Sequence, residues 1–345
     1  FETKDLVNTL SNLGQLQRSR IEENLKYPED SAGRIMNRDF LAVKSTLTVG
    51  NLIDQLRTSR RGPKDFYNVF IVDENNIPIG YIPSGRILRS KRSKRLKDMT
   101  LKNVHLIKSN ESVEDITYTF RQYGLVSAPV VSNENKILGI ITVDDVVEID
   151  HEELEDDIQK LGGLFVNDFY KGALNSASSR FIWLGLNLLT AILASLVIDI
   201  YSDQLQQMIA IAVLMPIVAS MGGNAGMQTL AVTIRAIATK ELSKSNFNRV
   251  VGKEFLIGIL NGVIFAIITA VIVQFWFKDI NLSILIGISM ILNMIVAGLF
   301  GILVPVSLKK LNIDPALASS VFVTTITDVI GFLSFLGIGS FFFLS

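Results

Sequence analysis

Asp328 is the first residue that needs a chemical reason. It lies in LASSVFVTTITDVIGFLSFLGIG, residues 317–339, an apolar run without any other charge. A carboxylate at mid-bilayer costs roughly 2.5–3.5 kcal/mol on insertion scales, so such a group faces a polar cavity, a partner or an ion. Arg235, toward the end of another apolar run, is too far from mid-span to pair with it. An unpaired acid favours a cation site over a protonated acid hydrogen-bonded to a neighbouring helix. Thr324, Thr325, Thr327 and Gly331 are expected to add hydroxyl and carbonyl oxygens on one helical sector. A second polar stretch, ASMGGNAGMQTLAVTIR at 219–235, sets Asn224 and Gln228 four residues apart, on one helical face. Pro216 and the Gly222–Gly223 pair are expected to loosen that helix. Close helix packing accounts for its glycines. It does not account for Asn224, Gln228 and Thr229 together, whereas a wet, oxygen-rich lining does.

The elements that must hold these residues are long. Apolar runs at 181–200, 205–238, 250–277, 282–307 and 317–344 each suffice for a membrane span. The connections alternate in charge. TKELSKSNFNRVVGKE after the second span carries Lys240, Lys244, Arg249 and Lys253, and the turn after the fourth carries Lys309 and Lys310. The other two, DIYSDQ and KDINLS, hold a single Lys between them. The positive-inside rule therefore predicts cytoplasmic residues 1–180 and an external C-terminus, in a cell (inner) membrane. A secondary transporter would also use broken helices and a buried Asp, but five spans do not divide into equal inverted halves. An intramembrane aspartyl protease needs two carboxylates sharing a proton, and the spans hold one mid-membrane Asp. No enzymatic activity is expected.

The first half of the chain is different in kind. Over the whole protein 33 basic and 33 acidic residues cancel, which argues against nucleic acid as a partner. The basic run RILRSKRSKRLK, 86–97, reads as a solvated linker. Without cysteine there is neither a disulfide nor a thiolate metal site. His105 and His151 form no metal motif and are expected at the surface. Residues 32–149 repeat internally: a short helix with Met36 or Met99, a strand, an amphipathic helix, then two strands around DENN or NENK. Gly80 and Gly139 correspond. The repeat resembles a tandem CBS pair, a cytosolic regulatory module. In that family a Thr/Ser-x-x-Asp after the last strand holds the ribose of an adenine nucleotide. The second copy carries it as Thr142 and Asp145; the first, with Ser84-Gly-Arg-Ile87, lacks the acid. A helix N-cap by Thr142 is an equal alternative.

After the repeat comes DDVVEIDHEELEDDIQKLGGLF, 144–165, most of whose acids are expected to be solvated, although their crowding at helical spacing makes them repel and a divalent cation would relieve that strain. The order of repeat, acidic helix and five spans, with PIVASMGGNAGMQT in the second span and TDVIGF in the fifth, resembles the MgtE family of magnesium channels. YPEDSAG at 27–33 matches the family's junction between an N-terminal helical domain and the first CBS repeat. The chain starts at Phe1 without an initiator Met and is expected to be part of something longer. The fold expected is therefore α+β tandem CBS domains followed by an all-α transmembrane domain. Its divisions are 1–31, a remnant of the N-terminal domain; 32–150, the CBS pair; 151–178, the acidic connecting helix; and 179–345, the pore domain. The resemblance implies a homodimer whose second and fifth spans line a pore. Asp328, with Thr324 and Gly331, would hold Mg²⁺; Asn224 would lie near the cytoplasmic gate, with Gln228 and Ser320 along the path. It implies closure by cytosolic Mg²⁺ at Asp145, Glu148, Glu153, Asp156 and Asp157, and ATP at the CBS pair. The chain departs from the family's pattern at Met227 and at Ser320-Val321, where relatives carry Asn and Asn-Pro.

Overall fold

The computed structural model describes residues 15–58, 63, 65–164, 172–202 and 209–344. The chain divides into two compact units, 1–152 and 153–345. The first opens with helices α1 (Gln15–Asn24) and α2 (Ala32–Ile35). One copy of the repeat follows: β1 (Ala42–Lys44), α3 (Val49–Thr58), β2 (Asn68–Val72), β3 (Pro78–Pro83) and α4 (Ser84–Leu88). After a 3₁₀ turn at Leu96–Met99 the second copy contributes β4 (Ile107–Lys108), α5 (Val113–Tyr123), β5 (Ser127–Val131) and β6 (Ile137–Thr142). α6 (Val143–Leu161) runs from the first unit into the second.

Each copy forms a three-stranded sheet in which the first strand runs parallel to the second and the second antiparallel to the third. Apolar side chains of the middle strands are buried, Val69 to Val72 in one copy and Ala128 with Val130 and Val131 in the other. The hairpins turn at Asn76 and Asn135, both with φ near +63°, a left-handed conformation that asparagine tolerates well. α5 starts at Ser112, whose side chain accepts from Asp115 N, and stops at Gly124, where φ is +59°.

The copies exchange edges. Asn37, ahead of the first copy's own strands, bridges Ile140 of β6, and Leu101, ahead of the second copy's strands, bridges Tyr81 of β3. Gly80 and Gly139 make this possible. A Cβ on Gly80 would stand 2.3 Å from Leu101 O, and one on Gly139 would stand 2.8 Å from Asn37 O. The basic stretch 86–97 is held rather than free, with Arg92 O accepting from Gly50 N and Arg92 paired with Asp54 at 2.6 Å.

Among the described residues the second unit contains five helices long and apolar enough to cross a membrane: α7 (Ala173–Asp199), α8 (Ile209–Ala238), α9 (Phe247–Phe277), α10 (Ile280–Lys310) and α11 (Pro315–Leu344). α10 is the most enclosed and packs against α8, α9 and α11. Small residues let these backbones close up. A Cβ on Gly258 of α9 would lie 2.9 Å from Met294 O, and one on Gly298 of α10 would lie 2.9 Å from Glu254 O. Leu184, Leu188, Leu189 and Leu196 of α7 remain exposed, as side chains destined for lipid should.

Candidate functional site in the helical unit

α8 and α11 pack antiparallel through their glycines. A Cβ on Gly226 would meet Val323 Cγ1 at 2.6 Å and Thr327 Cγ2 at 3.6 Å. Gly222 and Gly331 both abut Asn293 of α10. This register brings Asn224 to the depth of Asp328, about 21 Å along the helix from its Ala238 end at 1.5 Å per residue. Asn224 thus stands at the middle of α8.

Within α8 the burial pattern separates two faces. Gly222, Gly226, Thr229, Leu230 and Thr233 are buried, while Ser220, Asn224 and Gln228 are exposed in the single chain. Asn224 Nδ2 reaches Ser220 Oγ at 3.5 Å. α8 is helical throughout despite Pro216, so Gly222 and Gly223 do not loosen it. Gly222 instead makes room for Asn293, and Gly223 has nothing near its missing Cβ.

On α11, Asp328 is half-exposed beside half-buried Ser320, Thr324 and Thr325, while Thr327 and Gly331 are buried. The hydroxyls correct the sequence expectation. Thr324 donates to Ser320 O at 2.9 Å, Thr325 to Val321 O at 2.6 Å and Thr327 to Thr324 O at 2.9 Å. Ser334 donates to Gly331 O at 3.0 Å. In a helix without water nearby, the preceding turn is the nearest acceptor for a hydroxyl proton. Thr327 moreover turns toward α8, away from the Asp328 sector. Asp328 is therefore the one carboxylate on this face, with Asn224 and Gln228 as exposed amides at neighbouring depth on the adjoining helix.

Among the buried polar residues of this unit that sequence reasoning did not single out are Glu254 and Asn293. Glu254 of α9, 8% exposed, accepts from Thr229 Oγ1 at 3.1 Å, which ties α9 to α8. Asn293 of α10 is fully buried and donates from Nδ2 to Val218 O at 2.8 Å. The available signal was that each is the one residue of its type in its run: Glu254 is the acid of the third apolar run and Asn293 the asparagine of the fourth.

At the start of the acidic helix α6, Asp145 turns back onto Thr142, which makes one half of a capping box. Asp145 Oδ2 accepts from Thr142 N at 3.0 Å and from Thr142 Oγ1 at 2.6 Å. Glu148 is exposed and Asp156 half-buried; the side chains of Glu153 and Asp157 lie outside the described residues. Among the described residues no three acids or histidines gather closely enough to hold a metal ion. His151 is exposed, but His105 is half-buried and packs against Tyr123, ring centroids 4.0 Å apart and planes tilted by 33°. In the second unit the end of α6 meets the bundle. Lys160 pairs with Asp314 at 2.8 Å, and Leu161 packs against the cluster of Leu230, Ile234, Ala316 and Val323.

The MgtE family profile, described as a divalent cation transporter, matches residues 215–338, which hold Asn224, Asn293 and Asp328 alike. CBS-domain profiles match 32–93 and 96–152. The magnesium transporter MgtE of Enterococcus faecalis is 30% identical over 322 residues, covering 93% of this chain and 71% of that protein. The chain belongs to the MgtE family. The MgtE magnesium transporter of Thermus thermophilus is 29% identical over 324 residues, covering 93% of this chain and 72% of its own length. Among solved structures, the cytosolic domain of the Mg²⁺ channel MgtE in complex with ATP is 24% identical, with a TM-score of 0.40. That match covers 43% of this MgtE-family chain and 60% of the solved one. Membership sets the chain among membrane transport proteins, not enzymes.

Proposed function

We propose that this chain carries Mg²⁺ across the cell membrane through a pore lined by α8 and α11 of two copies, with Asp328 as the ion site. The observation that carries the reading is a half-exposed, charge-isolated carboxylate at the middle of a span, flanked by the amide face of α8. Mg²⁺ demands near-ideal octahedral oxygen coordination and sheds water reluctantly. One Asp from each of two copies can hold the hydrated ion through its waters. The threonine hydroxyl protons are committed to their own helix, so Thr324 can offer only an oxygen lone pair. Gly331 can offer only a carbonyl already shared with Ser334.

Gating by cytosolic Mg²⁺ fits how α6 ends. Its last turn is bound to the start of α11 by Lys160–Asp314 and to α8 by the Leu161 cluster. A cation drawn to Glu148, Glu153, Asp156 or Asp157 would therefore act on a helix already joined to both pore walls. Asp145 is engaged with Thr142, so any role there starts from its second carboxylate oxygen. That oxygen, with the Thr142 side chain, is also where a nucleotide ribose would bind. Orientation with residues 1–180 in the cytoplasm follows from the loop charges.

The deciding experiment is Mg²⁺ uptake into liposomes by the reconstituted chain, wild type against Asp328→Asn and Asp328→Ala. Abolished flux in folded variants supports the site; wild-type flux in both refutes it. Coupled transport is separated from a channel by imposing and then collapsing Na⁺ and H⁺ gradients. A channel's Mg²⁺ flux follows the Mg²⁺ gradient and the potential alone.

A further inference from the structure

Asn293 is a polar residue with no part in the ion site as described above. Its amide touches two other helices. Nδ2 donates to Val218 O on α8, and a Cβ on Gly222, one turn further along α8, would fall 2.1 Å from Nδ2. A Cβ on Gly331 of α11 would fall 2.8 Å from the same atom. Real Cβ atoms do not approach so closely, so the amide fills the space that side chains at 222 and 331 would need. Its thickness sets the separation of α8 and α11 at this depth. Asn293 Oδ1 is buried with no hydrogen-bond partner in the protein among the described residues. Leucine shares the branching and has no polar atom to desolvate, but its methyl groups are bulkier than the amide's oxygen and nitrogen and would push the two helices apart.

We propose that Asn293 is a positioning residue for ion permeation, which spaces α8 from α11 one turn away from Asp328 and so sets the aperture between them. The inference rests on the reading of these two helices as the pore walls. Its chemical consequence is specificity. Mg²⁺ takes a rigid octahedral shell, whereas Ca²⁺ accepts six to eight oxygens in flexible geometry. A pore whose spacing is relaxed therefore loses Mg²⁺ affinity first and gains tolerance for Ca²⁺.

The test is Mg²⁺ and Ca²⁺ flux into liposomes by the whole chain, with thermal unfolding of every variant in detergent. Asn293→Leu is expected to stay folded, with the half-saturating Mg²⁺ concentration raised about tenfold, the lower end of what lost outer-shell support costs a metal site, and with a lower Mg²⁺/Ca²⁺ ratio. Gly222→Ala is expected to lose flux, and Gly222→Ala/Asn293→Ala to recover much of it, because the second change vacates the space the first one needs. Folded Asn293→Leu with wild-type half-saturation and ion ratio overturns the proposal. So does a Gly222→Ala variant that transports normally, or a double variant no better than Gly222→Ala. Should Asn293→Leu fail to fold, recovery or its absence in the Gly222 pair decides. Asp328→Asn runs alongside: wild-type flux there defeats the ion-site reading, whereas lost flux there with an unaltered Asn293→Leu removes the positioning role alone.

Discussion

The soluble repeat and the helical unit satisfy their polar groups in opposite ways. In the repeat, polar side chains work at the ends of elements and at the surface. Ser112 caps α5, Asp73 Oδ1 accepts from Asn75 N and Ile77 N in a turn, and Arg92 meets Asp54 in the open. Water stands by for any of them. In the helical unit most hydroxyls fold back on their own helix, as Thr233 does to Thr229 O and Thr325 to Val321 O. The bonds that cross between helices include Thr229 to Glu254, Asn293 to Val218 O and Ser283 to Gln274. Where water is scarce, a hydroxyl bonded to its own backbone is nearly silent. A bond that crosses fixes how two helices sit.

That contrast yields expectations in descending order of effect. Asp328→Asn or Asp328→Ala should abolish Mg²⁺ flux while leaving thermal unfolding close to wild type, because a half-exposed acid is not what holds the bundle together. Gly80→Val should be the most damaging change in the repeat. Its Cβ would strike a backbone oxygen that cannot rotate aside, for a loss of about 1–3 kcal/mol or more by overpacking, read by chemical denaturation of the whole chain. Thr229→Val keeps the shape but leaves the Glu254 carboxylate without its donor, costing about 1–3 kcal/mol. Thr325→Val removes a bond of the self-directed kind and should fall within about 0.5 kcal/mol of wild type. Equal losses in these last two would erase the distinction between crossing and self-directed hydroxyls. Least of all should come Glu134→Gln at the β5–β6 turn. The hydrogen bond and charge of Lys136 hold the Glu134 carboxyl below its ordinary value. Its contribution is present above the unfolded carboxylate pKa and fades as pH falls through the folded one, so the small difference expected of an exposed pair shows at neutral pH and is gone in acid, as unfolding curves at the two pH values would read.

Much of the architecture was legible because it rests on patterns that repeat. Hydropathy alone marks five runs close to the five helices, and the two copies of the repeat share Met36 with Met99 and Gly80 with Gly139. What pattern cannot convey is direction. An isolated Asn293 in an apolar run gives no sign of which neighbour it faces, and Glu254, beside Lys253, reads as part of a charged loop. Thr324, Thr325 and Thr327 announce oxygen without saying where the proton goes. The depth of Asn224 depends on how α8 and α11 are registered, which is set by Gly226 against Val323 and Thr327, contacts distant in sequence. The crowding of acids in α6 was likewise visible, yet spacing along one helix does not gather three of them around a point.

The exchanged edges of the repeat have a consequence for biosynthesis. Asn37 finds its pairing partner only when Ile140 has been made. At about 5–20 residues per second, a ribosome needs on the order of 5–20 s to travel between them. Throughout that interval the Asn37 segment waits for the strand edge it will cover, open to other nascent chains. The edge closes just as α6 and then the first span are being translated, so the soluble fold is completed only when the chain is ready to enter the membrane.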